Sequence, residues 1–265
     1  MQNENETIKI LGINSSLREK HHPISQHESF TRKLLLCGLE YIQEEHGDVE
    51  TEVIDLGKYN IQFVPGAYST NEHFLKLETA IEDDMQLLYP KVVAADGIIF
   101  SSPTYWGYPS GLLKVFLERL TVLDEISDDP ADRKLQGKVA GAIATAKFDG
   151  SSRTALDILS MANYLGFIIP PYAFAFHTGR VTTSVMEDDS EFDNNYFARR
   201  NVQTVAENVY RMVKLVKKQV WKVFQEFTHP LSEDEACGIF DLKKEMQRFE
   251  DNGFFRNYNQ EKGLI

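Results

Sequence analysis

Three short stretches of this chain combine side chains that can hold a ligand. The first is "NSSLR", Asn14 to Arg18, with Ser29 and Thr31 following. Hydroxyls and free backbone amides at a helix start satisfy phosphate oxygens, and Arg18 can add a charge-assisted bond. The second is "SSPTYWGYPSG", residues 101–111, with two prolines, two glycines and three large rings. Tyr105 and Trp106 can flank a planar ring, and Gly107 lets backbone approach it closely. The third is "TAKFDGSSR", residues 145–153, where Thr145, Lys147 and Asp149 can meet the polar edge of a ring and Gly150 permits a tight approach. Each stretch also has a plainer reading. The first serves as a helix cap, the second covers a sheet end or a dimer contact, and the third is a solvated loop.

The apolar runs around these stretches give them an order. Residues 8–14, 50–56, 97–101 and 138–146 read as buried strands, and "FIIPP", 167–171, as a fifth strand ended by its prolines. Helical spacing is found at 29–46, 72–93, 110–120 and 151–166. Such alternation predicts an α/β fold: a doubly wound parallel sheet of five strands with helices on both faces. Ligands in these sheets sit outside the carboxyl ends of the strands, where the order reverses. All three stretches follow strands, so they converge there.

Beyond residue 180 the pattern changes. "VTTSVMEDDSEFDNN" reads as an acidic linker. From Tyr196, valines at 202, 205, 209, 213, 216 and 220, with Phe224, mark a long amphipathic helix, and Ser232 caps another. The expected organisation is a ligand-binding domain over 1–180 and a linker with a helical extension over 181–265. The apolar stripe must cover the sheet domain or a second subunit.

Composition narrows the partners. The 265 residues carry 42% hydrophobic and 26% charged side chains, as in ordinary globular proteins. A net charge of −12 argues against nucleic acid and anionic membrane as partners. No apolar run reaches the roughly 18 residues of a membrane span. Cys37 and Cys237 are too few and too far apart for a disulfide framework, zinc site or iron–sulfur cluster, and no secretory signal is visible, so a cytoplasmic location is expected. His21, His22 and His27 come without carboxylates at ligand spacing, so no metal is expected. No P-loop or GxGxxG is present. A serine-hydrolase elbow at Ser110 is weak, because Tyr108 stands where glycine is needed.

The segment 81–120, with Asp84-Met85, "ADGIIF", "SPTYW" and Leu113 to Arg119 of an LKxFxxR pattern, resembles the NAD(P)H-dependent FMN reductase family, including its iron–sulfur flavoprotein branch. The resemblance spans roughly residues 7–178. It implies a flavodoxin-like fold and bound FMN, with NAD(P)H as co-substrate and a small-molecule electron acceptor. By that resemblance Ser16, Arg18, Ser29 and Thr31 hold the FMN phosphate. Pro103, Thr104, Tyr105, Trp106 and Gly107 line the ribityl chain and ring, and Thr145 and Gly150 approach the ring from the third stretch. Lys147 is the candidate for a cation that stabilises reduced flavin. The chain departs from the family in the insert "EKHHPISQHE", in lacking the cluster cysteines, and in its C-terminal helices. A homodimer or homotetramer is expected. An electron carrier without pyridine-nucleotide activity, and an interaction module with a degenerate flavin site, are the other two readings.

Overall fold

The computed structural model describes residues 7–18, 28–64, 81–123, 133–179 and 189–217. Six strands occur among them: β1 (Ile8–Asn14), β2 (Val49–Asp55), β3 (Gly97–Tyr105), β4 (Tyr108–Pro109), β5 (Val139–Ala146) and β6 (Phe174–Thr178). Five form a parallel sheet in the order β2-β1-β3-β5-β6, and β4 pairs antiparallel with the end of β3. Counting only the five, this is the 2-1-3-4-5 order of flavodoxin-like folds, with its switch point between β1 and β3.

Side-chain alternation assigns the two faces. Leu11, Ile13, Ile98, Phe100, Ala140, Ala142 and Ala144 meet α2 (Met85–Ala94), α3 (Gly111–Arg119) and α4 (Ser151–Tyr164). Ile8, Ile10, Ile99, Val139 and Ile143 meet α1 (Phe30–Glu45) and α6 (Tyr196–Leu215). Val202, Val205, Val209, Val213 and Val216 are all buried in the second cluster. Of the two surfaces open to this stripe, the sheet is therefore the one that its described part covers, and Val220 and Phe224 lie outside the described residues. Burying it stabilises the fold by roughly 1.5–3 kcal/mol per valine.

The closeness of α6 depends on glycine. A Cβ at Gly141 would lie 2.9 Å from Val205 Cγ1 and 3.0 Å from Val209 Cγ2, and one at Gly97 would lie 2.9 Å from Val209 Cγ1. Gly141→Val is expected to cost about 1–3 kcal/mol by overpacking, read as a lowered urea midpoint. An unchanged midpoint would show that the helix is free to shift away. The helix end is tied electrostatically as well. His46 stacks on Tyr210 at 3.9 Å between centroids and lies 2.8 Å from Glu207, while the Tyr210 hydroxyl donates to Asp48 at 2.5 Å.

Several elements differ from expectation for identifiable reasons. Residues 97–101 were expected to form the whole of the third strand, but β3 runs on to Tyr105. Its parallel ladder with β5 continues to Pro103 and the β4 pairing then takes over. The fifth strand is not at 167–171. Ile168 makes one parallel bridge to Val139, the donor-less Pro170-Pro171 break the ladder, and pairing resumes at Phe174 opposite Ala142. Helix α2 starts at Met85 because the preceding acids are used elsewhere. Asp83 accepts from Met85 N and Gln62 N, and Asp84 accepts from Asn60 N. The part of that expected helix at 72–80 lies outside the described residues. Within the stretch read as a linker, Asp189–Asn194 forms a short helix, α5, whose Phe192 meets Phe30 edge-on at 5.9 Å. The helix expected from Ser232 and the histidines at 21, 22 and 27 lie outside the described residues.

Candidate functional site

The carboxyl ends of β1, β3 and β5 enclose a cavity of about 570 Å³. Ser16, Arg18, Ser29 and Thr31 line one part of it, Pro103 to Gly107 a second, and Thr145, Lys147 and Asp149 a third. Gly150 stands just behind: a Cβ there would meet Gly107 Cα at 3.0 Å and Thr104 Cγ2 at 3.4 Å. Every site residue expected from the sequence is thus at this cavity or against its wall. Phe30, Ala146 and Phe148 also line it and were not anticipated. Phe30 and Phe148 each lie between two expected residues, and that adjacency was the only available signal.

The first wall is a helix N-terminus. Ser29 caps α1, its Oγ accepting from Arg32 N at 3.2 Å. The first-turn N–H groups of α1 have no intrahelical acceptor and form the positive end of its dipole. Ser16, Ser29 and Thr31 are buried hydroxyl residues, whereas Arg18 is exposed. Thr31 Oγ1 and Thr145 Oγ1 are 2.6 Å apart, which links the first and third walls. Behind the turn, Asn14 Oδ1 accepts from Ser16 N at 3.2 Å while Asn14 Nδ2 donates to Asp55 at 2.9 Å. Arg32 Nε donates to the same carboxylate at 2.9 Å. Burial alone would raise the Asp55 carboxyl, but Arg32 and Asn14 outweigh it and hold it below the usual range. Asp55 thereby fixes the turn without lining the cavity, and sequence spacing gave no sign of it.

The second wall is a tight hairpin rather than a loose loop. Trp106 and Gly107 have φ of +54° and +82° between the paired Tyr105 and Tyr108. Two successive positive φ values mark a type I′ turn, a place that favours Asn-Gly. Tryptophan there is strained, and its side chain is fully exposed at the cavity mouth. In dilute, monomeric protein Trp106→Asn is expected to raise stability by up to about 1 kcal/mol by relieving this strain, visible as a higher melting temperature. No gain would mean that the ring makes stabilising contacts of its own. Ser110, considered above as a nucleophile, is the N-cap of α3 and accepts from Leu113 N at 3.3 Å. The hairpin is held to α4 by Arg153, whose Nη2 donates to Tyr108 Oη at 2.9 Å with the guanidinium over the ring.

The donor set fits a phosphorylated flavin. One end offers buried hydroxyls and free amides, and the other offers aromatic faces and glycine. Thr104 Oγ1 is buried with no protein partner, a polar atom that a ligand hydroxyl would satisfy.

The sequence model of the NADPH-dependent FMN reductase family matches residues 8–180. The chain belongs to that family. It is accordingly a flavin oxidoreductase, and FMN is the flavin of its family. Relatives of this FMN reductase-family protein include the 8-demethyl-8-aminoriboflavin-5'-phosphate synthase of Streptomyces davaonensis, 22% identical over 89% of each chain. An iron–sulfur flavoprotein of Methanocaldococcus jannaschii is 28% identical over 80% of this chain and all of the relative. The crystal structure of RosB with a bound 8-demethyl-8-formylriboflavin-5'-phosphate intermediate superposes with a TM-score of 0.66, at 21% identity over 86% of this chain and 89% of the other. That similarity shows a shared fold. No helix among the described residues is long and apolar enough to cross a membrane.

Proposed function

We propose that this family member is a cytoplasmic NAD(P)H-dependent oxidoreductase that passes electrons to a small-molecule acceptor. The observation that carries the reading is a single cavity with an anion-binding end and an aromatic, glycine-lined end at the fold's switch point. FMN would supply the redox chemistry, receiving hydride from the nicotinamide at N5 and delivering electrons to the acceptor. The protein's part is to bind, orient and tune. The α1 N-terminus with Ser16, Ser29 and Thr31 would hold the phosphate, and Asp55 through Asn14 would keep that turn in place. Gly107 and Gly150 would leave the ring face open for a nicotinamide.

Anaerobic addition of NADPH to the FMN-loaded protein tests this. Rapid loss of the flavin's visible absorbance is expected. A colour that persists would make the protein an electron carrier, and a protein that takes up no FMN would be an interaction module. Lys147 lines the cavity and would place a cation beside the reduced ring, raising its midpoint potential. An unchanged potential in Lys147→Ala would remove that role.

A second reading treats the flavin as substrate. It is favoured by the match to the Streptomyces davaonensis synthase, which runs over 237 residues, past the end of the family segment. A changed mass in the flavin released after turnover would select it. The proposal includes a homodimer or homotetramer. The ground for this is the fully exposed Trp106 with exposed Tyr105 and Phe148 at the mouth, not the α6 stripe, which the sheet covers. Light scattering of wild type and Trp106→Asn tests it, and a monomeric wild type would rule it out.

A further inference from the structure

A cavity of about 570 Å³ holds one molecule of flavin size. A nicotinamide nucleotide that meets the ring must therefore leave its phosphates outside, across the rim. On the α4 side that rim carries Arg153, the third residue of the helix. It lies three positions beyond Gly150, which closes on Gly107. Its guanidinium is 4.8 Å from the centroid of the Tyr108 ring, and Nη2 donates to Tyr108 Oη at 2.9 Å. Tyr108 pairs with Tyr105, which lines the cavity, whereas neither Tyr108 nor Arg153 lines it. The guanidinium thus stands beside the mouth and not in it.

This cation is both held and available. Fixed by a ring and a hydroxyl, it has little freedom left to lose when an anion binds. Its side chain is 64% exposed, and of the donors in its planar fork only the one on Tyr108 is used. The nearest carboxylate, Asp157 Oδ2, is 3.8 Å from Nε, too far for a hydrogen bond, and offsets the charge only in part. Asp149, the acid of the third wall, already accepts from Gly150 N through Oδ1 at 2.6 Å. The first turn of α4 contains no acid, so the positive end of the helix dipole adds to the guanidinium. Exposed Tyr105, Trp106 and Tyr108 give the rest of a nucleotide flat faces to lie on. In a chain of net charge −12, a local cation of this kind is what would draw an anionic co-substrate to the mouth.

We infer that Arg153 binds a phosphate of the nicotinamide co-substrate outside the flavin cavity and thereby sets the affinity for that co-substrate. The inference rests on the oxidoreductase reading given above. A fork of N–H donors suits phosphoryl oxygens. Such a nucleotide offers them in its bridging pyrophosphate and, in NADPH but not NADH, in a 2′-phosphate.

Anaerobic stopped-flow reduction of the FMN-saturated full chain at low salt tests the inference in wild type, Arg153→Ala and Arg153→Lys. The donors are NADPH, NADH and reduced nicotinamide riboside, which carries no phosphate. Arg153→Ala should raise the half-saturating NADPH concentration by about tenfold, the loss of one charge-assisted hydrogen bond. The limiting rate of reduction, the FMN affinity and the reaction with the riboside should stay as in wild type. Arg153→Lys should recover part of the loss, because a point charge replaces the fork. Raising the salt should shrink the difference between wild type and Arg153→Ala. A rise confined to NADPH identifies the 2′-phosphate as the group bound, and equal rises for NADPH and NADH identify the pyrophosphate. Wild-type half-saturation by both nucleotides in Arg153→Ala overturns the inference while leaving the oxidoreductase reading intact. So does a loss with the riboside as large as with the nucleotides, since Arg153 would then only brace the hairpin. A wild-type flavin that none of the donors bleaches overturns both.

Discussion

Arg119→Met is expected to lower the melting temperature by about 10 °C, the largest stability loss of any single substitution considered. Arg119 Nη1 donates to Asp83 Oδ2 at 2.5 Å and to Gln62 O at 2.6 Å, while Nη2 reaches Asp83 Oδ1 at 3.2 Å. Both side chains are completely buried. Removing one partner strands the other's charge in the interior. The cost is about 3–5 kcal/mol, and 1 kcal/mol moves the midpoint of a domain this size by about 2–4 °C. Replacing both partners, as in Asp83→Leu with Arg119→Met, should recover part of the loss because no charge is left unpaired. The same pair sets an acid limit. Burial alone would raise the Asp83 carboxyl, but Arg119 and the amides of Gln62 and Met85 outweigh it and hold it below its ordinary value. A carboxyl lowered in the folded state contributes stability that is present above its unfolded pKa and lost as pH falls through the folded one. Asp55, Asp48 and Glu207 are lowered as well and share that sign. Wild type should therefore hold its stability down to about pH 4 and lose it below. In Arg119→Met the acid transition should move to higher pH, since only the amides of Gln62 and Met85 then oppose the burial effect on Asp83. Identical acid transitions in the two proteins would show that the pair does not govern Asp83.

Periodicity made much of this fold legible. Apart from the exposed Lys9 and the carboxyl end of β3, the β1, β3 and β5 runs are buried on both faces, so they stand out as apolar stretches, and the switch-point rule then brings their ends together. What stayed hidden depended on partners distant in sequence. Phe174 to Thr178 lacks a strong apolar run, and its register comes from β5. Asp83 and Arg119 are 36 residues apart and meet only after α2 and α3 pack. Asp55 looks like the end of an edge strand until Asn14 and Arg32 reach it. The valine stripe of α6 declared that it must be covered, but its surface depended on Gly97 and Gly141, whose missing side chains leave no hydrophobic signal. At the flavin-site cavity the residue types suggested rings and phosphate. The hairpin that fixes Tyr105 and Trp106 was obscured because tryptophan is a poor residue for a type I′ turn.

Thr31→Asp should separate the phosphate end of the flavin-site cavity from the rest. Thr31 occupies the second position of α1, where its backbone N–H has no intrahelical acceptor and its side chain is buried beside Thr145. An aspartate of nearly the same volume puts a carboxylate where a phosphate is expected to sit. The helix dipole favours that charge by about 0.3–1 kcal/mol, close to what the lost Thr31–Thr145 hydrogen bond contributes. Desolvation of the new carboxylate at this buried position adds a cost, so the flavin-free variant should melt below wild type, and riboflavin serves as the control for a folded site. FMN affinity should fall by on the order of a hundredfold or more, because two like charges about 4 Å apart near a protein surface repel by about 4 kcal/mol. Riboflavin, which has the ring and side chain without the phosphate, should bind both proteins with similar affinity. Fluorescence titration with the two flavins gives the comparison directly. Equal losses for both would place the phosphate away from α1 and break the assignment of Ser16, Ser29 and Thr31. A variant that keeps its FMN affinity would remove helix α1 from the site altogether.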